Sequence, residues 1–117
     1  MKIFILFFGV FLSSSVFSGT TSGTKISYFV VQPENEVGSN RVCVYLDKEI
    51  DNSPVCNVAD RLCASIDSDL GRAQLSTIMY AHSMQKSLTI NGLGANGTGI
   101  CTVDANSQDL GYILVEE

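Results

Sequence analysis

Hydrophobic and polar residues alternate along three stretches of the chain with the two-residue period of a half-buried strand. Lys25 to Gln32 is rich in β-formers, with Tyr28, Phe29, Val30 and Val31, and stops at Pro33. In Arg41 to Leu46, Val42, Val44 and Leu46 share one face and Cys43 and Tyr45 the other. In Arg61 to Ile66, Leu62, Ala64 and Ile66 share a face, with Cys63 and Ser65 opposite. Between these strands, Glu34–Asn40 is a turn or short loop, and Asp47–Asp60 contains the turn signal Asp51-Asn52-Ser53-Pro54. Gly19 to Thr24 is small and polar and predicts a loose segment.

The period changes after Ile66. Leu75, Ile78, Met79 and His82 recur at helical spacing, and no proline interrupts Leu70 to about Lys86. Asp67-Ser68-Asp69 supplies capping side chains and negative charge where a helix N-terminus wants them. A short strand follows at Leu88-Thr89-Ile90, then a glycine-rich loop at Gly92–Gly99, a further strand at Ile100–Val103, a turn at Asp104–Asp109 and a last strand at Gly111–Val115. The predicted fold is mainly β with one α-helix. It is a small five- to six-stranded barrel or sheet with the helix after the third strand. That order matches an OB-like barrel, and an open antiparallel sheet with the helix on one face is the alternative.

Residues 1–18 have the tripartite form of a cleaved signal peptide. Lys2 precedes the apolar run Ile3–Leu12, Ser13-Ser14-Ser15 breaks it, and Val16-Phe17-Ser18 offers a cleavage site. Ten apolar residues reach about 15 Å as a helix, half of a bilayer core of about 30 Å. Residues 19–117 are then one domain, secreted or periplasmic, with no membrane span after cleavage. Of 117 residues, seven are Lys or Arg and twelve Asp or Glu, a net charge of −5 that becomes −6 when Lys2 leaves with the signal. Charged residues are 16% and hydrophobic ones 45%, which excludes a disordered chain. The acidic balance leaves no basic face for nucleic acid.

All four cysteines, Cys43, Cys56, Cys63 and Cys101, lie beyond the signal, where an oxidising compartment favours two disulfides. The spacing lacks the paired C-x-x-C ligands of a zinc site, and His82 is the one histidine. If the apolar faces of 41–46 and 61–66 point into one core, Cys43 and Cys63 emerge side by side on neighbouring antiparallel strands, which leaves Cys56 for Cys101. Cys43–Cys56 with Cys63–Cys101 is the rival pairing.

Gly92-x-Gly94-x-x-Gly97 spells a dinucleotide fingerprint, yet a strand rather than a helix follows it, so no cofactor is expected. His82 falls in the apolar stripe of its helix and predicts a structural role. Asp67-x-Asp69 lacks the remaining ligands of a calcium loop, and Asn96-Gly97-Thr98 is a glycosylation sequon by pattern. No catalytic constellation appears. The Gly-, Asn- and Ser-bearing loops 34–40 and 92–99 occupy the places where OB-folds hold ligands, and Asn40 and Asn96 are the candidate binding residues.

Asp67 to Ser76 with its G-[KR]-A-Q-x-S segment, then Ser87-Leu88-Thr89-Ile90-Asn91-Gly92-Leu93-Gly94, the glycine stretch to Cys101, and Leu110-Gly111-Tyr112-Ile113-Leu114 resemble a group of small exported proteins of Gram-negative, often marine, bacteria. The resemblance covers about the last half of the mature chain. More remotely, size, export signal, disulfides and element order are similar to the B subunits of one-A, five-B toxins of the subtilase-cytotoxin kind. That resemblance implies an OB-fold, a pentameric homo-oligomer and a cell-surface glycan as partner, and it carries over no binding residue. Tryptophan is absent, and the tyrosines Tyr28, Tyr45, Tyr80 and Tyr112 remain to stack on a sugar. Two functions compete: an exported glycan-binding module, and a stand-alone structural protein without a specific ligand.

Overall fold

The strands form where β-branched and aromatic residues alternate with polar ones. A computed structural model describes residues 19–33, 40–95 and 98–116. Its elements are β1 (Thr20–Thr24), β2 (Ile26–Gln32), β3 (Arg41–Leu46), β4 (Leu62–Ser65), α1 (Asp69–Ser83), β5 (Leu88–Gly92), β6 (Gly94–Ala95), β7 (Thr98–Gly99) and β8 (Gln108–Val115). The signal-like residues 1–18, most of the first loop (34–39), and Asn96 and Gly97 of the sequon lie outside the described residues.

Six strands make one sheet in the order β1-β5-β8-β4-β3-β2, and β6 and β7 pair as a separate small hairpin. No ladder closes the sheet, yet its two edges, β1 and β2, are separated in sequence by Lys25 alone. Residues 20–32 are therefore one extended run broken at Lys25. Its first half pairs with β5 and its second with β3, so the sheet curls on itself in the manner of a small OB-like barrel. Counting that run as one strand, α1 follows the third strand.

The parallel contact between β4 and β8 is short, with Leu62 beside Gln108 and Cys63 beside Asp109. Beyond it, α1 takes over, and Gln74 donates through Nε2 to the Gly111 carbonyl at 2.8 Å. A half-buried carbonyl past the end of that ladder is satisfied by such a partner. The core beneath is apolar: Ile26, Val42, Val44, Leu62, Ala64, Ile78, Ala81, Leu88, Ile90 and Leu110 are buried, with Phe29, Leu46, Ile66 and Leu75 packed at its margin.

α1 begins where Ser68 Oγ accepts from Gly71 N at 3.0 Å. It ends at Ser83, short of the predicted Lys86. Gln85 takes a left-handed φ of 52°, and the bonds Gln85 N to His82 O and Lys86 N to Ala81 O form a Schellman closure.

The last strand begins at Gln108 rather than Gly111, the predicted glycine-rich loop carries the β6–β7 pair, and two whole segments differ from prediction. Thr20–Thr24 is a strand, not a loose segment, because its threonines serve as polar core residues. Thr24 is fully buried and donates to Asp47 Oδ1 at 2.7 Å, and Thr21 donates to the Glu49 carbonyl at 3.3 Å. Ile100–Val103 is not a strand. The Asp109 carboxylate accepts from Thr102 N at 2.7 Å and Val103 N at 3.0 Å, and from the Thr102 hydroxyl, so this backbone is satisfied by a side chain instead of a ladder.

Candidate functional site

The ladders of β2, β3 and β4 place Tyr28 opposite Tyr45, Val30 opposite Cys43, Gln32 opposite Arg41, and Cys43 opposite Cys63. Because the side-chain period of a strand is two, these residues share the face turned away from the core. The Cys43–Cys63 disulfide lies at its centre, fully buried, with a Cα separation of 4.0 Å. The second disulfide, Cys56–Cys101, ties the 47–61 connection to the one that follows the β6–β7 hairpin.

Across this face runs a row of interacting side chains. The rings of Tyr28 and Tyr45 stack with centroids 4.3 Å apart and planes 14° from parallel. Arg61, on the far side of Tyr45, donates from Nη1 to the Tyr45 hydroxyl at 2.8 Å, and its guanidinium carbon lies 5.7 Å from the ring centroid. Arg61 Nε donates to Ser107 Oγ at 2.7 Å, and Ser107 Oγ donates to Asp104 Oδ2 at 2.7 Å. Asp104 also lies 3.5 Å from Arg61 Nη2 and 3.7 Å from Arg41 Nη2. Burial pushes the Asp104 carboxyl upward. The Ser107 hydroxyl, the Asn106 N–H and the two guanidinium groups together outweigh it and hold the carboxyl below its ordinary value.

The row fixes Tyr45 from one side and leaves Tyr28 open on the other. Tyr28 is 52% exposed, whereas Tyr45 is half-buried. The result is a flat aromatic surface whose backing does not rotate freely, a geometry suited to stacking. At the end of the same strands is an open groove of about 370 Å³ lined by Val31, Gln32, Pro33, Asn40, Ile66 and Asp67. Gln32 joins the two features, since it lines the groove and its Oε1 accepts from Arg41 Nε at 3.0 Å.

Asn40, a predicted binding residue, stands at this groove and donates from Nδ2 to Asp67 Oδ1 at 3.0 Å, tying the end of the first loop to the turn before α1. Asn96, its predicted counterpart, lies outside the described residues. His82 packs edge-on against Phe29, with centroids 5.4 Å apart, as a helix-borne structural histidine does. Among the described residues no three His, Cys, Asp or Glu side chains gather as metal ligands, and no helix is long and apolar enough to cross a membrane. Arg41 and Arg61 went unrecognised as site residues. A signal for them exists: each stands two residues before a cysteine, Arg41-x-Cys43 and Arg61-x-Cys63, and so shares the face on which the cysteines meet.

Comparison with family models, with curated proteins and with solved structures finds no match to this chain.

Proposed function

We propose that the protein is an exported binding module that holds a glycan on the outer face of β2, β3 and β4. The observation that carries this reading is the exposed ring of Tyr28, stacked on a Tyr45 that Arg61 holds in place. Sugars present C–H groups that pack on aromatic rings and hydroxyls that take hydrogen bonds. Tyr28 offers the first kind of contact, and Gln32 and Asn40 at the adjoining groove offer the second. OB-like barrels bind oligosaccharides on the corresponding strands and loops. Two disulfides fit an extracytoplasmic site of action.

A glycan array on the purified protein, followed by titration with the best binder, tests the reading. Tyr28→Ala is expected to weaken that binding by about tenfold, the scale of one aromatic contact, with an unchanged melting temperature. A parent protein that binds nothing across a broad array, or a Tyr28→Ala variant that binds as the parent does, overturns it.

A further inference from the structure

We propose that the groove at the end of β2 takes an uncharged sugar unit, that Asp67 is the residue that rejects acidic ones, and that the ligand is an oligosaccharide laid along β2. The inference rests on the stacking site proposed above and adds the chemical class and length of the glycan. Tyr28, Val30 and Gln32 follow one another on the outer face of β2. At about 3.3 Å per residue, Tyr28 and the groove that Gln32 lines are about 13 Å apart. One pyranose ring does not reach from one to the other, and a chain of several does. β2 is an edge of the sheet, so no further strand among the described residues pairs alongside this path.

The groove sets polar groups against an apolar wall of Val31, Pro33 and Ile66. Gln32 is held in one orientation, because its Oε1 accepts from Arg41 Nε at 3.0 Å and its Nε2 remains the donor. Asp67 accepts from Asn40 Nδ2 at 3.0 Å through Oδ1, and a carboxylate has room for further hydrogens. A sugar hydroxyl can donate to the carboxylate and accept from the amide at once. A sugar carboxylate or sulfate would instead set like charge against Asp67. Arg72 reaches the Ile66 carbonyl at 3.4 Å, but it pairs with Asp69 and does not line the groove. Arg41 and Arg61 face Asp104, and their side chains are only 8% and 11% exposed. The positive end of α1 adjoins Asp67 as well, and there Ser68 caps the helix and Asp69 occupies its first turn. The whole chain carries a net charge of −5, which repels an acidic ligand before contact.

The test is an array of neutral tri- and tetrasaccharides printed beside their component monosaccharides and their sialylated and uronate counterparts. The parent should bind its best neutral glycan at least about tenfold more tightly than the acidic counterpart, the scale of one like-charge contact near a protein surface. It should bind the component monosaccharides at least about tenfold more weakly than the whole, since each fills only one end of the path. Asp67→Asn keeps an acceptor for Asn40 and removes the charge, and it should narrow the neutral-to-acidic ratio to within about threefold, whereas Asp67→Glu should preserve that ratio. Both variants should melt with the parent. Acidic glycans bound as tightly as neutral ones, or a ratio that Asp67→Asn leaves untouched, overturn the role of Asp67 while the Tyr28 stacking site stands. Monosaccharides bound as tightly as the oligosaccharide overturn the path along β2. An array with no binding at any spot overturns the Tyr28 reading itself, and this inference with it.

Discussion

At the scale of single residues, one close approach turns on an atom that glycine lacks. A Cβ on Gly71 would lie 1.6 Å from the Ser65 carbonyl oxygen, inside a backbone that cannot swing aside. The first turn of α1 is pressed against the end of β4, and glycine at this position of the G-[KR]-A-Q-x-S segment is required by that contact. Gly92 has a comparable role against a side chain, since its Cβ would lie 2.1 Å from Nε2 of the fully buried Gln108. We expect Gly71→Ala to destabilise the protein by about 1–3 kcal/mol, the usual penalty of overpacking, although alanine is the better helix former. Urea unfolding measures it. A variant as stable as the parent would mean that α1 rests further from β4 than the structure places it.

At the scale of elements, the disulfides divide the labour of holding the sheet and its connections. Cys43–Cys63 joins two strands already paired, 20 residues apart, whereas Cys56–Cys101 closes 45 residues and fastens two irregular connections. Restriction of the unfolded chain makes them worth about 3 and about 4 kcal/mol respectively. Replacing Cys56 and Cys101 by Ala should therefore lower unfolding free energy by about 4 kcal/mol while the strand ladders persist in the circular dichroism spectrum. Replacing Cys43 and Cys63 should cost at least as much despite the shorter loop, because both sulfurs are fully buried and their removal leaves a cavity. Denaturant titration of the two double variants checks the order. The pairing itself was legible from alternation, since Val42, Val44, Leu62 and Ala64 fix which way Cys43 and Cys63 point. What alternation could not show is an element whose inward residues are polar. Thr21 and Thr24 look like loop residues until Glu49 and Asp47 are found to accept their hydroxyl bonds. Ile100–Val103 has the composition of a strand, and only the fold brings Asp109 to its N–H groups. Tyr28 and Tyr45 were visible as candidates for stacking; their pairing needed the register, and the link through Arg61 to Asp104 needed a connection more than forty residues away to fold back over β4.

At the scale of the whole molecule, that returning connection makes one carboxylate a junction. Asp104 faces Arg41 from β3 and Arg61 from the start of β4, and it accepts from Ser107 and Asn106 within its own turn. Its side chain is 20% exposed, so water screens these interactions only in part. The folded state holds this carboxyl below its ordinary value, and Asp47, held by the Lys25 N–H and the Thr24 hydroxyl where β1 passes into β2, shifts the same way. A carboxyl with a depressed folded-state pKa adds stability that is present above the unfolded value and lost as pH falls through the folded one. Stability from these two groups should thus be intact from pH about 7 to about 5 and decline below about 4. Asp104→Asn should lower the melting temperature at neutral pH, because it removes the negative charge that faces two nearly buried guanidinium groups. The same variant should lose less than the parent on acidification, so that the two melting curves draw together as pH falls below the ordinary carboxylate range and the parent's Asp104 takes up its proton. Calorimetry of both proteins at neutral and acid pH decides it. Parallel losses in the two would show that the acid sensitivity arises elsewhere and that Asp104 does not couple the turn to the sheet.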